Sequence, residues 1–209
     1  PKPYPEYCKD SPDLCQLVCQ LYPKLCKDYT GQPTGSGDPN SANGPMGYGS
    51  ANFVRADSLL PYTIHFENET NATAPAQRVV ISDRLTNRLD WTTFELTEIA
   101  FGDQFIAVPP GTKHFETSKQ LSVNGYQFEV QIEAGIHLDT GEVYARFQSL
   151  NPTNGLPPTD PTGQAIIGFL PPEPPHNPND TPSVPGQGRG QGHISCTIRA
   201  NTNLVATGT

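Results

Sequence analysis

The chain has 209 residues, with 13 Lys plus Arg against 21 Asp plus Glu, a formal net charge of −8, a hydrophobic share of 34%, 23 prolines and 19 glycines. A chain of this length can bury one sizeable core, about 70% of its unfolded surface, yet its Pro and Gly excess assigns a good part of it to loops and extended links. With no Lys/Arg cluster the acidic balance argues against a nucleic-acid partner, and no apolar run approaches the roughly 20 residues of a membrane-spanning helix.

The first residues, PKPYPEYCKD, do not look like a signal peptide, as expected where one has been removed. Cys8, Cys15, Cys19 and Cys26 follow the spacing C-x6-C-x3-C-x6-C with no histidine between them. Structural zinc sites use shorter C-x2-4-C pairs, so two disulfides in an oxidising compartment are the expected state. Their pairing stays open, and Cys196 is left over, whether free, buried or bonded to another chain. Within this region DLCQLVCQLYPKLC, Asp13 to Cys26, predicts a helix capped by Asp13 and interrupted or kinked by Pro23, with Cys15 and Cys19 one turn apart. Residues 1–27 are therefore expected to be a disulfide-stapled helical segment, and the Gly, Pro, Ser and Asn of residues 28–50 a linker or draped loop.

After Ala51 short strands are predicted near Phe53–Ala56, Leu60–Phe66, Gln77–Ser82, Phe94–Phe101, Asp103–Val108, Leu121–Val123, Gln127–Ala134, Glu142–Leu150 and Ser195–Ala200. Phe128, Val130 and Ile132 share one face against Gln127, Glu129, Gln131 and Glu133, and Val143, Ala145 and Phe147 repeat the alternation. Many short strands without intervening helices imply an all-β antiparallel sandwich over residues 51–209. Residues 151–192 form a long Pro/Gly-rich excursion, with Ile166 to Leu170 as the apolar patch that could pin it down.

Catalytic signatures are weak. Asp139-Thr140-Gly141 matches the aspartic-protease tripeptide in a single copy, where that chemistry needs two carboxylates, and between alternating strands it reads as a turn. His65, His114, His137, His176 and His193 show no helical metal-ligand spacing. The glycines of 186–192, GQGRGQG, lack the lysine and the strand–helix context of a phosphate loop. Oxygen-rich loops are a better lead. Asp38 and Asn40, and Asn177, Asn179 and Asp180, are candidate calcium ligands, although neither loop has EF-hand spacing and Asp-Pro or Asn-Pro is also a turn former. Asn68, Asn71 and Asn179 satisfy the N-glycosylation pattern. Trp91 is the candidate aromatic for a glycan contact, with core packing as the competing role.

The motifs Tyr62-Thr63-Ile64, Asn68, Ala74, Ala76, Val79-Val80-Ile81, Asp83 and Leu85 resemble the repeat module of bacterial and archaeal surface proteins known as the domain of unknown function 11 type. GPMGYGSANFV, LPYTIHFEN, TAPAQRVVISDRL, LDWTTFEL and IAFGD look like a variant in very large secreted proteins. The resemblance runs from Asp38 to Thr209 and implies an immunoglobulin-like sandwich with structural or adhesive work and no catalysis. The expectation is a secreted or cell-surface module, with carbohydrate binding as the alternative. An incomplete sandwich edge could accept a strand from another copy of the chain, building a filament or surface layer with residues 27–50 as donor or hinge.

Overall fold

The computed structural model describes residues 40–203 apart from 51, 53, 56, 161, 162, 164 and 176–187. The chain divides between Thr34 and Gly35, and every described residue belongs to the second unit. The expected helix with Cys8, Cys15, Cys19 and Cys26 lies outside the described residues, as do Asp38, Asn177, Asn179 and Asp180.

Among the described residues there are nine strands and no helix: β1 Asn40–Asn43, β2 Leu59–Glu67, β3 Arg78–Arg84, β4 Leu89–Phe101, β5 Gln104–Ala107, β6 His114–Val123, β7 Tyr126–His137, β8 Glu142–Leu150 and β9 Gln191–Ala200. They form two antiparallel sheets, ordered β1-β2-β9-β4-β5 and β3-β8-β7-β6. The all-β sandwich expected from the alternation is what the chain builds. Two local expectations change. The stretch read as a linker contains β1, whose Asn40–Asn43 pairs with Thr63–Phe66 of β2. Val54 and Arg55, inside a predicted strand, carry none.

Period-two alternation explains the core. Phe128, Val130, Ile132 and Ala134 of β7 and Val143, Ala145 and Phe147 of β8 point inward, against Phe94, Leu96, Ile99 and Phe101 of β4 and Ile194, Cys196 and Ile198 of β9. At the centre Phe147 packs against Phe66, Phe101 and Phe169 at ring separations of 5.1, 5.7 and 5.7 Å, and Phe101 meets Phe169 edge-on at 5.2 Å. Such pairs add about 0.5–1.5 kcal/mol each beyond the area they bury.

Phe169 belongs to the excursion that links β8 to β9, which Ile167, Phe169 and Leu170 anchor by burial. Side-chain hooks complete the attachment. Asn68 Nδ2 donates to Ala74 O at 3.0 Å and Leu170 O at 2.9 Å, and Gln77 Nε2 donates to Pro158 O and Ile167 O at 2.6 and 2.8 Å. The buried Glu173 carboxylate accepts the backbone N–H groups of Gly188 at 2.5 Å and Gly190 at 2.8 Å. Successive N–H groups converging on one anion form a small nest. Part of the glycine-rich run thus clasps an anion, and the anion is the chain's own glutamate.

Hairpin geometry fixes the register of the four-stranded sheet. Asn124 and Gly125 both have positive φ, 52° and 85°, the conformation of a two-residue type I′ turn. That turn sets Val123 opposite Tyr126 and, farther along, Glu116 opposite Glu133 and His114 opposite Gly135. The next hairpin turns at Asp139-Thr140-Gly141, where Gly141 N–H donates to His137 O at 2.8 Å. The tripeptide is a turn, as its flanking strands suggested.

Candidate functional site

The outward side chains of β3, β8, β7 and β6 form polar rows across the sheet. One row runs Val80, Arg146, Glu133, Glu116; the next runs Arg78, Gln148, Gln131, Ser118; a third pairs Leu150 with Glu129 and Gln120. The β6, β7 and β8 members of these rows line an open trough of about 630 Å³, bounded by Glu116, Ser118, Glu129, Gln131, Glu133, Arg146 and Gln148 among others. Its walls carry three carboxylates against one guanidinium, so it favours ligands with hydrogen-bond donors or positive charge. Arg146 Nη1 reaches Glu133 Oε2 only at 3.5 Å, while Gln120 Nε2 donates to Glu129 Oε2 at 2.7 Å.

One end of the trough is more specialised. Gly135 lies between Tyr144 on β8 and His114 on β6. Because it has no side chain, the Tyr144 phenol reaches past it and shares a 2.6 Å hydrogen bond with His114 Nδ1. Any Cβ at Gly135 would collide with the Lys113 carbonyl. His137 stacks on the Tyr144 ring at 4.3 Å, which leaves Tyr144 only 7% exposed on the outer face of a sheet. Burial raises the Tyr144 pKa above its ordinary value, with Glu133 adding to the rise. The other histidine nitrogen, His114 Nε2, lies 3.1 Å from Glu116 Oε1. A ring nitrogen of His114 and carboxylate oxygens of Glu116 and Glu133 all lie within 4.8 Å of one another.

The outer face of the five-stranded sheet holds a second polar group. His193 Nε2 meets Glu98 Oε1 at 2.6 Å, Thr63 and Ser195 hydroxyls pair at 3.1 Å, and the His65 ring lies 5.7 Å from that of His193. Partial burial, with the neighbouring His193 as a smaller cause, lowers the His65 pKa. His65 is exposed, on the wet face that its place between Ile64 and Phe66 implied.

The residues singled out from sequence separate. Asn68 is 1% exposed and both hydrogens of its amide are spent on buried carbonyls. It cannot carry a glycan in this fold, and its sequon is corrected to a structural role. Asn71 sits exposed in a turn closed by Ala72 N–H to Glu69 O at 3.0 Å. Asn40 contributes its backbone to β1. Trp91 is half-buried, donates Nε1–H to Thr86 O at 3.1 Å and lies against Gly141, which needs to be glycine for the indole to fit. It closes the end of the sandwich beside the β7–β8 turn. Cys196 is a free thiol, 4% exposed, whose pKa burial pushes up to about 12 with a smaller contribution from Asp83.

From the sequence Glu116 has no assigned role, Glu133 is only one of the outward polar residues of its strand, and His114 is one of five scattered histidines. The signal was present in Asn124-Gly125, because a two-residue hairpin turn fixes which residues face each other.

Residues 38–104 match the family model described as Domain of unknown function (DUF7619). The match spans β1 to β4 and reaches the first residue of β5, so it takes strands from both sheets and stops before the β6–β8 meander. No curated protein and no solved structure matches the chain.

Proposed function

We propose that the chain is an extracellular contact module, adhesive or structural and non-catalytic, that engages its partner through the outer face of β3-β8-β7-β6. The observation that carries this reading is the open trough of about 630 Å³, whose polar side chains are laid out in register across β6, β7 and β8. An open trough of this kind suits an extended partner better than a small molecule that must be enclosed. Secretion fits the cluster of four cysteines within the first 27 residues. The sandwich supports the resemblance to surface-protein repeat modules at the level of class alone, because β9 lies between β2 and β4, whereas an immunoglobulin domain pairs its last strands with the third.

Self-assembly is part of this proposal. β1 is a four-residue edge strand in the segment expected to donate, and in this chain it pairs with its own β2. Exchange of β1 between copies would keep the same ladder while linking them. Calcium at Asp38 and Asn40 or at Asn177, Asn179 and Asp180 belongs to the same reading. Sedimentation with calcium and with chelator tests both, and a concentration-independent monomer in each condition would remove them.

Glycan binding is the second reading, favoured by the planar amide and carboxylate side chains of Gln131, Gln148, Glu129 and Glu133, which can pair with neighbouring hydroxyls. The deciding experiment compares binding to polysaccharides and to surface proteins before and after Gln131→Ala with Gln148→Ala. Loss of either interaction with an unchanged melt places the contact on this face. Unchanged binding to both sinks the assignment of the trough.

A further inference from the structure

We propose that His114, Glu116 and Glu133 bind a divalent transition-metal ion of the zinc class at the end of the trough. Three observations converge on it, and none depends on what the rest of the trough holds.

The first is the donor set. One imidazole nitrogen and two carboxylate oxygens lie mutually within 4.8 Å, and His114 Nε2 to Glu116 Oε1 is 3.1 Å. Metal–ligand bonds of about 2.0–2.2 Å in tetrahedral geometry separate neighbouring donors by roughly 3.3–3.5 Å, so small side-chain adjustments suffice. The nitrogen donor selects against calcium, which takes six to eight oxygens, and in favour of zinc and its neighbours.

The second is charge. Register puts Glu116 directly opposite Glu133, and like charges facing across strands destabilise a sheet. Arg146 reaches Glu133 alone, at 3.5 Å. A cation between the two carboxylates converts that repulsion into ligation.

The third is orientation. A ligating histidine is normally held through its other nitrogen, and His114 Nδ1 is held at 2.6 Å by Tyr144, itself more than nine-tenths buried and stacked under His137. A phenol both donates and accepts. It can therefore accept Nδ1–H when the Nε2 lone pair turns to the metal. Exposure of His114 and Glu116 leaves the remaining coordination positions to solvent, the pattern of an open site.

The test is calorimetric titration of the non-reduced full-length chain with Zn²⁺, repeated with Co²⁺ by absorption spectroscopy. The expected result is one equivalent bound without a thiolate charge-transfer band, not displaced by excess calcium. His114→Ala, Glu116→Gln and Glu133→Gln should each weaken that equivalent by about 100-fold or more, and Tyr144→Phe by about 10-fold. Dichroism of each variant checks that the fold is kept, and the near-isosteric Glu→Gln changes hold the test open should His114→Ala perturb it. Unaltered binding in His114→Ala and both Glu→Gln variants overturns the proposal. So does Co²⁺ bound only with a thiolate band, which would place the metal on the cysteine segment.

Discussion

The β6–β8 meander and the excursion from Asn151 to Gly190 are both connected to the same core, yet they are ordered by different means. In the meander, two tight turns and continuous ladders set every residue's face and neighbour. Among its described residues the excursion pairs through the isolated bridges Ala76 with Leu170 and Thr159 with Ile166, and depends on the buried Ile167, Phe169 and Leu170 with Asn68, Gln77 and Glu173 as hooks. Where backbone pairing supplies order, outward side chains are released for other work, and the trough is made of them. Where side chains must supply order, they are consumed by it.

The largest test of that contrast is Phe169→Ala. If the excursion is part of the core, truncating a ring that meets Phe101 and Phe147 should cost about 3–5 kcal/mol in urea unfolding; a cost below about 1 kcal/mol would make the excursion an ornament. Next comes the ladder-held β9. A thiol pKa raised from 9.0 to about 12 means that the folded state holds its proton more tightly than the unfolded one. Its stabilising effect is full below pH 9, fades as pH rises towards 12 and amounts to at most about 4 kcal/mol. Cys196→Ala should flatten this alkaline loss in melts recorded across that window; an unchanged slope would assign the loss to other groups.

Glu173→Gln should act locally. It removes a charge from the N–H groups of Gly188 and Gly190, worth about 1.5–3 kcal/mol, and hydrogen exchange should accelerate at those two amides while β7 stays protected. Equal acceleration in both regions would mean that the hooks and the ladders open together. The smallest effect has the opposite sign. With chelator present, Glu116→Gln relieves the repulsion from Glu133 and should stabilise the chain by about 0.2–1 kcal/mol, detectable as a small rise in Tm; a fall would show that the Glu116 carboxylate is already paired to advantage with His114.

The contrast also explains how far the sequence could be read. Phe128, Val130 and Ile132 announce their face because burial on one side of a strand imposes a period of two, and the apolar run from Ile166 to Leu170 stood out against its polar surroundings. β6 was legible only from Leu121 onward, since as an edge strand it alternates half-buried Phe115, Thr117 and Lys119 with exposed residues. Asn68 satisfies the glycan-acceptor pattern, yet its amide serves carbonyls 6 and 102 residues away, a fact no local pattern carries. Tyr144 and His114 are 30 residues apart and meet through two successive registers with a glycine between them. Any one-residue slip in either hairpin would separate them.

The buried thiol of β9 has a further meaning for a chain whose first 27 residues hold four other cysteines. Disulfides reshuffle when a thiolate reaches a disulfide sulfur. Cys196, facing the core and flanked in the sheet by Tyr62 and Leu96, is buried and cannot ionise readily. Docking of β9 therefore withdraws the odd cysteine from exchange. Were the other four to form two disulfides, three pairings would be open to them, where five competing thiols would have five times as many. For such pairing, closure of the sandwich would remove the wrong partner that Cys196 offers while the chain is unfolded.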